Sequence, residues 1–181
     1  MTKQCVFLDR DGVINRDNKG YVGNADDWVP IPGSIEAIAK LNQADYDVFV
    51  ITNQSGIGRG YYSLDDMHCV NDKMRRIVKT AGGLITDIFY CPHSPEAQCG
   101  CRKPRSGLFI QCQQKYKVEF VNTPFVGDKL SDLRAAEAIK AMPILVETGK
   151  GMDTLKSLPS DHSYSHYKDL QHFVECWLAG Q

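Results

Sequence analysis

The sequence has 181 residues, of which 43% are hydrophobic and 24% are charged, a composition typical of one domain with a core of its own. Its formal net charge of -1 at pH 7 argues against a surface for nucleic acids or anionic membranes, because those partners select a basic excess. The apolar run before Asp9 is too short for a secretory signal, and no segment has the length of a membrane span. We expect a single cytoplasmic domain over residues 1–181 that acts as a monomer.

Short apolar runs alternate with stretches of helical periodicity along the chain. Strands buried on both faces are predicted at Cys5–Leu8, Val48–Thr52, Asp87–Tyr90, Pro124–Val126 and Pro143–Val146. Helices are predicted from the apolar stripes that begin at Ile35, Met67, Leu108, Leu133 and Leu170. This alternation predicts an α/β fold with a doubly wound, Rossmann-like parallel sheet. The stretch from Gly149 to Tyr167, rich in Gly, Ser, Asp and His, is predicted to be a loop.

Two carboxylates follow the first predicted strand, at Asp9 and Asp11. Residues two apart on an extended backbone face the same way, so both side chains can address one substrate group. Their mutual repulsion favours a divalent cation between them. One carboxylate can attack phosphorus to form an acyl phosphate, while the other protonates the leaving group and later activates water. Taken alone, the pair fits two solvated turn aspartates equally well.

Polar residues after two later strands are expected at the same edge of the sheet, because ligands bind parallel sheets beyond the carboxyl ends of their strands. Thr52 and the amides that follow it could bind phosphoryl oxygens, although a plain turn at the strand end is the alternative. Asp128 could complete a magnesium site of oxygen ligands, and Lys129 could contact an anionic substrate. Asp132 fits either this site or a favourable position in the first turn of the next helix.

A short segment of the chain carries three of its seven cysteines together with one histidine. Its members are Cys91, His93, Cys99 and Cys101. Three thiols and an imidazole form the ligand set of a closed, structural zinc site; reduced thiols in a flexible loop are the alternative. Arg102 and Lys103 follow directly, so such a loop would hold two cations beside the active site. The remaining cysteines are interpreted as small core residues: Cys5, Cys69, Cys112 and Cys176.

Four spaced segments resemble, in order, the four signatures of the haloacid dehalogenase superfamily. They are Phe7–Gly12, Ile51–Gly56, Arg102–Pro104 and Gly127–Asp128. Together with the zinc ligands they are similar to the branch without a separate cap domain, which includes heptose bisphosphate phosphatases and histidinol-phosphate phosphatases. The resemblance covers Val6 to Gly151. The Thr52–Gly60 segment is closer to the heptose enzymes, whereas the short spacing between His93 and Cys99 is closer to the histidinol-phosphate enzymes.

The resemblance implies a role for each matched residue. Asp9 would be the nucleophile and a magnesium ligand, Asp11 the general acid and base and a ligand through its carbonyl, and Asp128 the third ligand. Thr52 and Lys103 would hold the transferring phosphoryl group. Further substrate contacts are expected from Asp17, Gly20, Tyr21, Asn53, Gln54, Ser55, Arg102 and Lys129.

The implied activity is magnesium-dependent hydrolysis of a small phosphorylated sugar, namely removal of the 7-phosphate of a heptose 1,7-bisphosphate in the synthesis of lipopolysaccharide precursors. Histidinol phosphate is the alternative substrate. A polynucleotide 3′-phosphatase would share the chemistry, but the near-neutral charge argues against a DNA groove. A zinc-stabilised binding module without catalysis is the alternative from another class, and the intact set of Asp9, Asp11, Lys103 and Asp128 argues against it.

Overall fold

A six-stranded, all-parallel sheet forms the centre of the protein, in a computed structural model that describes residues 4–17 and 21–180. In chain order the strands are β1 (Cys5–Leu8), β2 (Asp47–Asn53), β3 (Asp87–Cys91), β4 (Pro124–Gly127), β5 (Met142–Val146) and β6 (Ser165–Tyr167). Their order in the sheet is β3-β2-β1-β4-β5-β6. The chain therefore leaves β1 towards β2 on one side and reaches β4 on the other, and the crevice beyond β1 is the expected ligand site.

Helices cover the sheet. In chain order they are α1 (Ser34–Gln43), α2 (Ser55–Gly58), α3 (Leu64–Thr80), α4 (Gly107–Tyr116), α5 (Leu130–Ala138), α6 (Gly151–Ser157) and α7 (Leu170–Ala179). The α3 helix begins with a reciprocal capping box, in which the Ser63 hydroxyl accepts from the Asp66 amide and the Asp66 carboxylate accepts from the Ser63 amide. Among the described residues, no helix is both long and apolar enough to cross a membrane.

The two faces of the sheet contribute to two separate apolar cores. Val6 and Leu8 of β1 pack with α1, α3 and α7 on one face. Cys5 and Phe7 of the same strand pack with α4 and α5 on the other. Alternate side chains of a strand point to opposite faces, so a run that is apolar at every position satisfies both cores. This arrangement confirms the predicted doubly wound α/β sheet and all five of its predicted strands.

The prediction of a loop from Gly149 to Tyr167 is wrong. This stretch contains α6 and the edge strand β6, which pairs in parallel with β5 through Ile144 and Ser165. The α6 helix has only seven residues, and only Gly151 and Thr154 within it are buried. A helix and a strand this short carry too few apolar residues for a periodic pattern to appear in the sequence.

The interpretation of the scattered cysteines as core residues holds for two of the four. Cys5 and Cys112 are buried, whereas Cys69 on α3 and Cys176 on α7 are exposed. Both exposed cysteines lie on amphipathic helices one or two residues from a buried position, Val70 and Val174 respectively. Because a helix turns by about 100° per residue, a neighbour in sequence does not share the buried face.

Candidate active site

A polar pocket of about 260 Å³ opens beyond the carboxyl ends of β1 and β2, beside the amino-terminal end of α5. Its lining residues are Asp9, Asp11, Asp17, Tyr21, Val22, Thr52, Asn53, Gln54, Ser55, Tyr62, Arg102, Lys103, Lys129, Ser131 and Asp132. The structure therefore brings most of the predicted site residues to one place. Gly20 lies outside the described residues, and Asp128 lies fully buried beneath the pocket.

Lys103 forms the charged floor of this pocket. It is 3% exposed, and its ammonium group lies 3.0 Å from Asp9 Oδ1 and 2.8 Å from Asp132 Oδ1 while donating to the Ile51 carbonyl. Burial opposes its charge, but the adjacent carboxylates of Asp132 and Asp9 raise the pKa of Lys103 above its ordinary value. Asn53 holds the Lys103 backbone at both its amide and its carbonyl. A permanent cation is thus fixed beside the predicted nucleophile.

Asp128 completes a cluster of buried carboxylates. One oxygen each from Asp9, Asp128 and Asp132 lies within 4.8 Å of the others. Burial, opposed by Lys129, raises the pKa of Asp128 to about 8. Among the described residues, Asp128 Oδ1 has no hydrogen-bond partner, and the Lys129 ammonium lies 3.6 Å away. A buried carboxylate oxygen without a hydrogen-bond partner, close to a second carboxylate, is suited to bind a hard divalent cation that prefers oxygen ligands, such as Mg²⁺.

Asp11 lies outside that cluster and is held by a buried arginine. The Arg10 guanidinium donates through Nε to Asp11 Oδ1 at 3.1 Å and through Nη2 to Asp11 Oδ2 at 3.0 Å. Asn15 and Gln54 donate to the same carboxylate. Burial alone would raise the pKa of Asp11, but Arg10 and these hydrogen bonds hold it below its ordinary value. The carboxylate is therefore ionised in the free site at neutral pH.

The open side of the pocket carries two further cations. Lys129 is 38% exposed at its side chain, and its ammonium lies 3.6 Å from Asp17 Oδ2. Arg102 is half-buried and donates to the His93 carbonyl at 3.4 Å. Tyr21 lies at the rim, 43% exposed. The three residues predicted to contact the substrate, Asp17, Arg102 and Lys129, thus line the pocket.

The predicted zinc ligands lie together. The sulfur atoms of Cys91, Cys99 and Cys101 are separated by 3.3, 3.4 and 3.5 Å, and His93 Nδ1 lies 3.3 Å from the Cys101 sulfur. A regular tetrahedron with Zn–S bonds of about 2.3 Å has sulfur atoms about 3.8 Å apart, so the four atoms fit such an ion closely. Slight burial opposes ionisation of Cys99, but hydrogen bonds from Cys101 and Cys91 lower its pKa to about 6.

Comparison with known proteins assigns this architecture to a family. A family model described as polynucleotide kinase 3 phosphatase matches residues 5–171. The heptose-1,7-bisphosphate 7-phosphatase of Pseudomonas aeruginosa is 49% identical over 160 residues, which cover 88% of this chain and 90% of the relative. A crystal structure of the heptose bisphosphate phosphatase from Bordetella bronchiseptica, with magnesium and phosphate, has a TM-score of 0.93 at 40% identity and covers 98% of this chain and 99% of that one.

The chain belongs to the heptose bisphosphate phosphatases of the haloacid dehalogenase superfamily. A Burkholderia thailandensis member of the same family has a TM-score of 0.77 at 38% identity, covering 98% of this chain and 99% of that one. The resemblance stated from the four sequence segments is confirmed, and with it the assignment of this chain as a phosphatase.

The segment after β5 holds Asp128 in place, a role that the sequence did not indicate. The Lys150 amide donates to Asp128 Oδ2 at 2.8 Å, and the Thr154 hydroxyl donates to the Asp128 carbonyl at 2.8 Å. Gly12 and Gly149 lie against the same carboxylate, since a Cβ on either would come within 2.2 or 2.3 Å of Asp128 Oδ2. The mispredicted stretch therefore holds Asp128, one of the three clustered carboxylates.

Replacing Gly149 with Ala tests this support. Gly149 has φ +60°, and an added Cβ would also lie 2.5 Å from the Gly12 Cα, so Asp128 must move. We expect the magnesium concentration for half-maximal activity to rise about tenfold, in line with the loss of a hydrogen bond that orients a metal ligand. Gly82→Ala is the matched control, because Gly82 has φ +82° and a Cβ added there would have nothing within 4 Å. Equal magnesium dependence in the two variants would contradict the proposed support.

Sequence reasoning did not predict Tyr62 and Ser131, which line the pocket, or the buried Arg10, which holds the Asp11 carboxylate. Arg10 lies between Asp9 and Asp11 in the sequence, and no local pattern shows that it is fully buried and therefore needs polar partners.

Asp132, for which the sequence left two positions open, lies in the first turn of α5, where its Oδ2 accepts from the Lys129 amide. Its Oδ1 lies 2.8 Å from the Lys103 ammonium, a contact that the sequence did not indicate.

Proposed function

We propose that this phosphatase removes the 7-phosphate of D-glycero-β-D-manno-heptose 1,7-bisphosphate, in the synthesis of activated heptose for lipopolysaccharide. The observation that carries the proposal is the match to a relative of that name over 90% of its length. Asp9, Thr52 and Lys103 line the same pocket, which supports hydrolysis of a phosphate ester there.

The proposed reaction has two displacements at phosphorus. An Asp9 carboxylate oxygen attacks, the P–O bond to the sugar breaks, and the sugar oxygen leaves with a proton from Asp11. Asp11 then removes a proton from water, which attacks the aspartyl phosphate and releases inorganic phosphate with Asp9 restored. Lys103 fixes the Asp9 carboxylate through Oδ1, and Thr52 at the end of β2 offers a hydroxyl to the phosphoryl oxygens.

Asp11 must be protonated for the first of these steps, although Arg10 holds it ionised in the free site. A bound phosphate monoester brings negative charge next to Asp11. Like charge nearby raises the pKa of a carboxyl group. Substrate binding thus favours the protonated form that the leaving sugar oxygen needs.

Magnesium fits the carboxylates beneath the pocket. Asp9, Asp128 and the Asp11 carbonyl would hold the ion, which when bound neutralises charge on the transferring phosphoryl group. Asp132 is a counter-ion in this arrangement and not a ligand, because its two oxygens are taken by Lys103 and by the Lys129 amide.

The second phosphate of the substrate gives the outer cations a function. Arg102 and Lys129 lie on the open side of the pocket, where they can bind an anion that does not react. Binding energy from such a remote group helps to position the reacting phosphate. Asp17 and Tyr21 at the rim are proposed to contact the sugar.

Comparison of three substrates tests the proposed specificity. Heptose 1,7-bisphosphate, histidinol phosphate and an oligonucleotide with a 3′-phosphate should be assayed side by side. The oligonucleotide is included because the family model that matches this chain is described as polynucleotide kinase 3 phosphatase. We expect kcat/KM to be highest for the heptose. A higher value for histidinol phosphate or the oligonucleotide would overturn the substrate assignment while leaving the phosphatase chemistry intact.

Zinc in the four-ligand cluster is proposed to be structural. The loop between β3 and α4 contains only a 3₁₀ turn, at Pro95–Ala97, and places Arg102 and Lys103 at its end. Protein purified without added metal should contain close to one equivalent of zinc. Less than about half an equivalent would count against the site, as would binding of zinc by a Cys101→Ala variant with undiminished affinity.

Loss of one zinc ligand should reduce activity through these neighbouring cations. We expect Cys101→Ala to lower kcat/KM about 100-fold, because Lys103 would lose its fixed position against Asp9. Cys69→Ala is the matched control, since Cys69 is an exposed free thiol on α3. Normal turnover by Cys101→Ala would show that the zinc loop and the active site are not coupled.

A further inference from the structure

The Gln54 side chain is the centre of a buried hydrogen-bond network beside the phosphoryl site. Its Oε1 accepts from Arg10 Nη2 at 2.9 Å and from the Tyr62 hydroxyl at 2.7 Å. Its Nε2 donates to Asp11 Oδ2 at 2.8 Å and to Thr52 Oγ1 at 2.9 Å. A primary amide offers two acceptor positions and two N–H donors, so all four are used. The side chain therefore has other partners than the substrate contact predicted for it.

Arg10 fixes which way the Gln54 amide points. The oxygen and nitrogen of an amide can exchange places by a half-turn, and hydrogen bonding decides between them. A guanidinium has donors only, so it cannot accept from an N–H group. Arg10, which also donates to Asn71 Oδ1 and is fully buried, thus requires the Gln54 oxygen on its own side. The nitrogen is then directed at Asp11 and Thr52.

Tyr62 supplies the second donor that holds this orientation. Burial raises the pKa of Tyr62 to about 12, so the hydroxyl keeps its proton at neutral pH. The ring lies against two glycines, one in α2 and one in the segment after Tyr21: a Cβ on Gly56 would lie 2.1 Å from Tyr62 Cε1, and one on Gly23 would lie 2.5 Å from the ring. Any larger residue at either glycine would displace the hydroxyl from Gln54.

The orientation of Gln54 has a consequence for each group that it touches. Because Thr52 Oγ1 accepts from Gln54, the Thr52 hydroxyl hydrogen is available to the pocket, where phosphoryl oxygens only accept. Asp11 Oδ2 receives an N–H, which together with Arg10 sets the direction of the carboxyl group. Both effects depend on the amide oxygen facing Tyr62 and Arg10.

We propose that Tyr62 is a positioning residue for the reaction: with Arg10 it orients Gln54, and Gln54 directs the Asp11 carboxyl group and the Thr52 hydroxyl at the phosphoryl site. The inference rests on the proposed function, because it assigns Tyr62 a role in the proton transfer by Asp11. Tyr62 does not itself transfer a proton or touch the reacting atoms.

The test compares Tyr62→Phe with Tyr61→Phe on two substrates. Tyr61 is the adjacent tyrosine, 64% exposed, and loses the same single oxygen. The sugar oxygen of heptose 1,7-bisphosphate needs a proton to leave, whereas the p-nitrophenolate of p-nitrophenyl phosphate does not. First-turnover rates isolate this step from the later hydrolysis. We expect Tyr62→Phe to slow the first turnover of the heptose about tenfold and that of p-nitrophenyl phosphate by about twofold or less, the former being the size of one lost hydrogen bond.

Two outcomes would overturn the inference. One is an equal loss on both substrates, because it would show that Tyr62 has no role in the proton transfer by Asp11. The other is a Tyr62→Phe variant that behaves like Tyr61→Phe. Wild-type protein that hydrolyses neither substrate would instead refute the proposed function, and the inference would fall with it.

A double-mutant cycle tests whether Tyr62 acts through Gln54. Gln54→Leu removes the amide and should show the same contrast between substrates, which keeps the test decisive even if Tyr62→Phe does not fold. Adding Tyr62→Phe to Gln54→Leu should cost no further activity, since the hydroxyl has lost its partner. A further tenfold loss in the double variant would show that Tyr62 acts by another route.

Discussion

Replacing Asp9 with Asn should lower kcat by roughly 10⁴-fold or more, the loss typical of removing a catalytic nucleophile. The carboxamide keeps the shape of the side chain and an oxygen that can accept from the Arg10 amide and from Lys103. It is nevertheless far too weak a nucleophile to form an acyl phosphate. Steady-state turnover of heptose 1,7-bisphosphate measures the effect.

The fold of this variant should be unchanged. Asp9→Asn weakens the ion pair with Lys103, but the Lys103 ammonium keeps Asp132 as its partner, and repulsion with Asp128 and Asp132 falls. The two effects oppose each other, so the melting temperature should change little. Asp65→Asn is the matched control, because Asp65 is an exposed aspartate in the first turn of α3. Retained turnover in Asp9→Asn would refute the nucleophile assignment, whereas an unfolded variant would refute the structural account of its neighbours.

Removing divalent cations should have the second-largest effect. We expect a loss of about 10³-fold in kcat/KM after treatment with EDTA, because metal charge contributes several kcal/mol to phosphoryl transfer. Because EDTA also binds zinc, one equivalent of Zn²⁺ is returned first, and added Mg²⁺ should then restore activity. Asp128→Asn should not be restored at the same concentration, since it lacks one of the proposed ligands. Full activity without divalent cations would contradict the proposed magnesium site.

The stability of the metal-free protein should depend on pH through Asp128. Its pKa is raised to about 8 in the folded state, against about 3.9 in an unfolded chain. The folded state therefore binds the proton on Asp128 more tightly, and the contribution of this group to the free energy of unfolding is greatest below pH 4 and decreases as the pH rises towards 8. The difference in melting temperature between metal-free wild type and Asp128→Asn, measured across this pH range, isolates the contribution of Asp128. A difference that does not change with pH would contradict the prediction. Added Mg²⁺ should make the difference depend less steeply on pH.

Local patterns predicted the fold well where elements are long or fully apolar. The β1 run, Cys5–Leu8, is apolar at every position because both faces of the sheet are covered. The α3 helix was predictable from the Ser63 cap and from a stripe that includes Met67 and Met74. The four-residue α2 helix, the α6 helix and the β6 strand at the sheet edge were missed, because tertiary contacts hold them and their own sequence pattern is too short.

The position of the candidate site in the fold was predictable from the sequence, but the contacts that support it were not. Asp9, Thr52 and Asp128 each lie at or just after the end of a strand, so the topology of a parallel sheet brings them together. The partners of Arg10 lie 44 and 61 residues away in sequence, at Gln54 and Asn71. No local pattern encodes such pairs, since they depend on how the helices pack once the sheet has formed.

Trapping the phosphoenzyme tests the central claim most directly. Wild-type protein mixed with heptose 1,7-bisphosphate in Mg²⁺, quenched within the first turnovers and reduced with borohydride, converts an aspartyl phosphate to homoserine, which peptide mass spectrometry locates. We expect homoserine at position 9, in an amount that depends on substrate, and none in Asp9→Asn. Homoserine at another aspartate, or turnover with no modified residue at any quench time, would contradict covalent catalysis by Asp9.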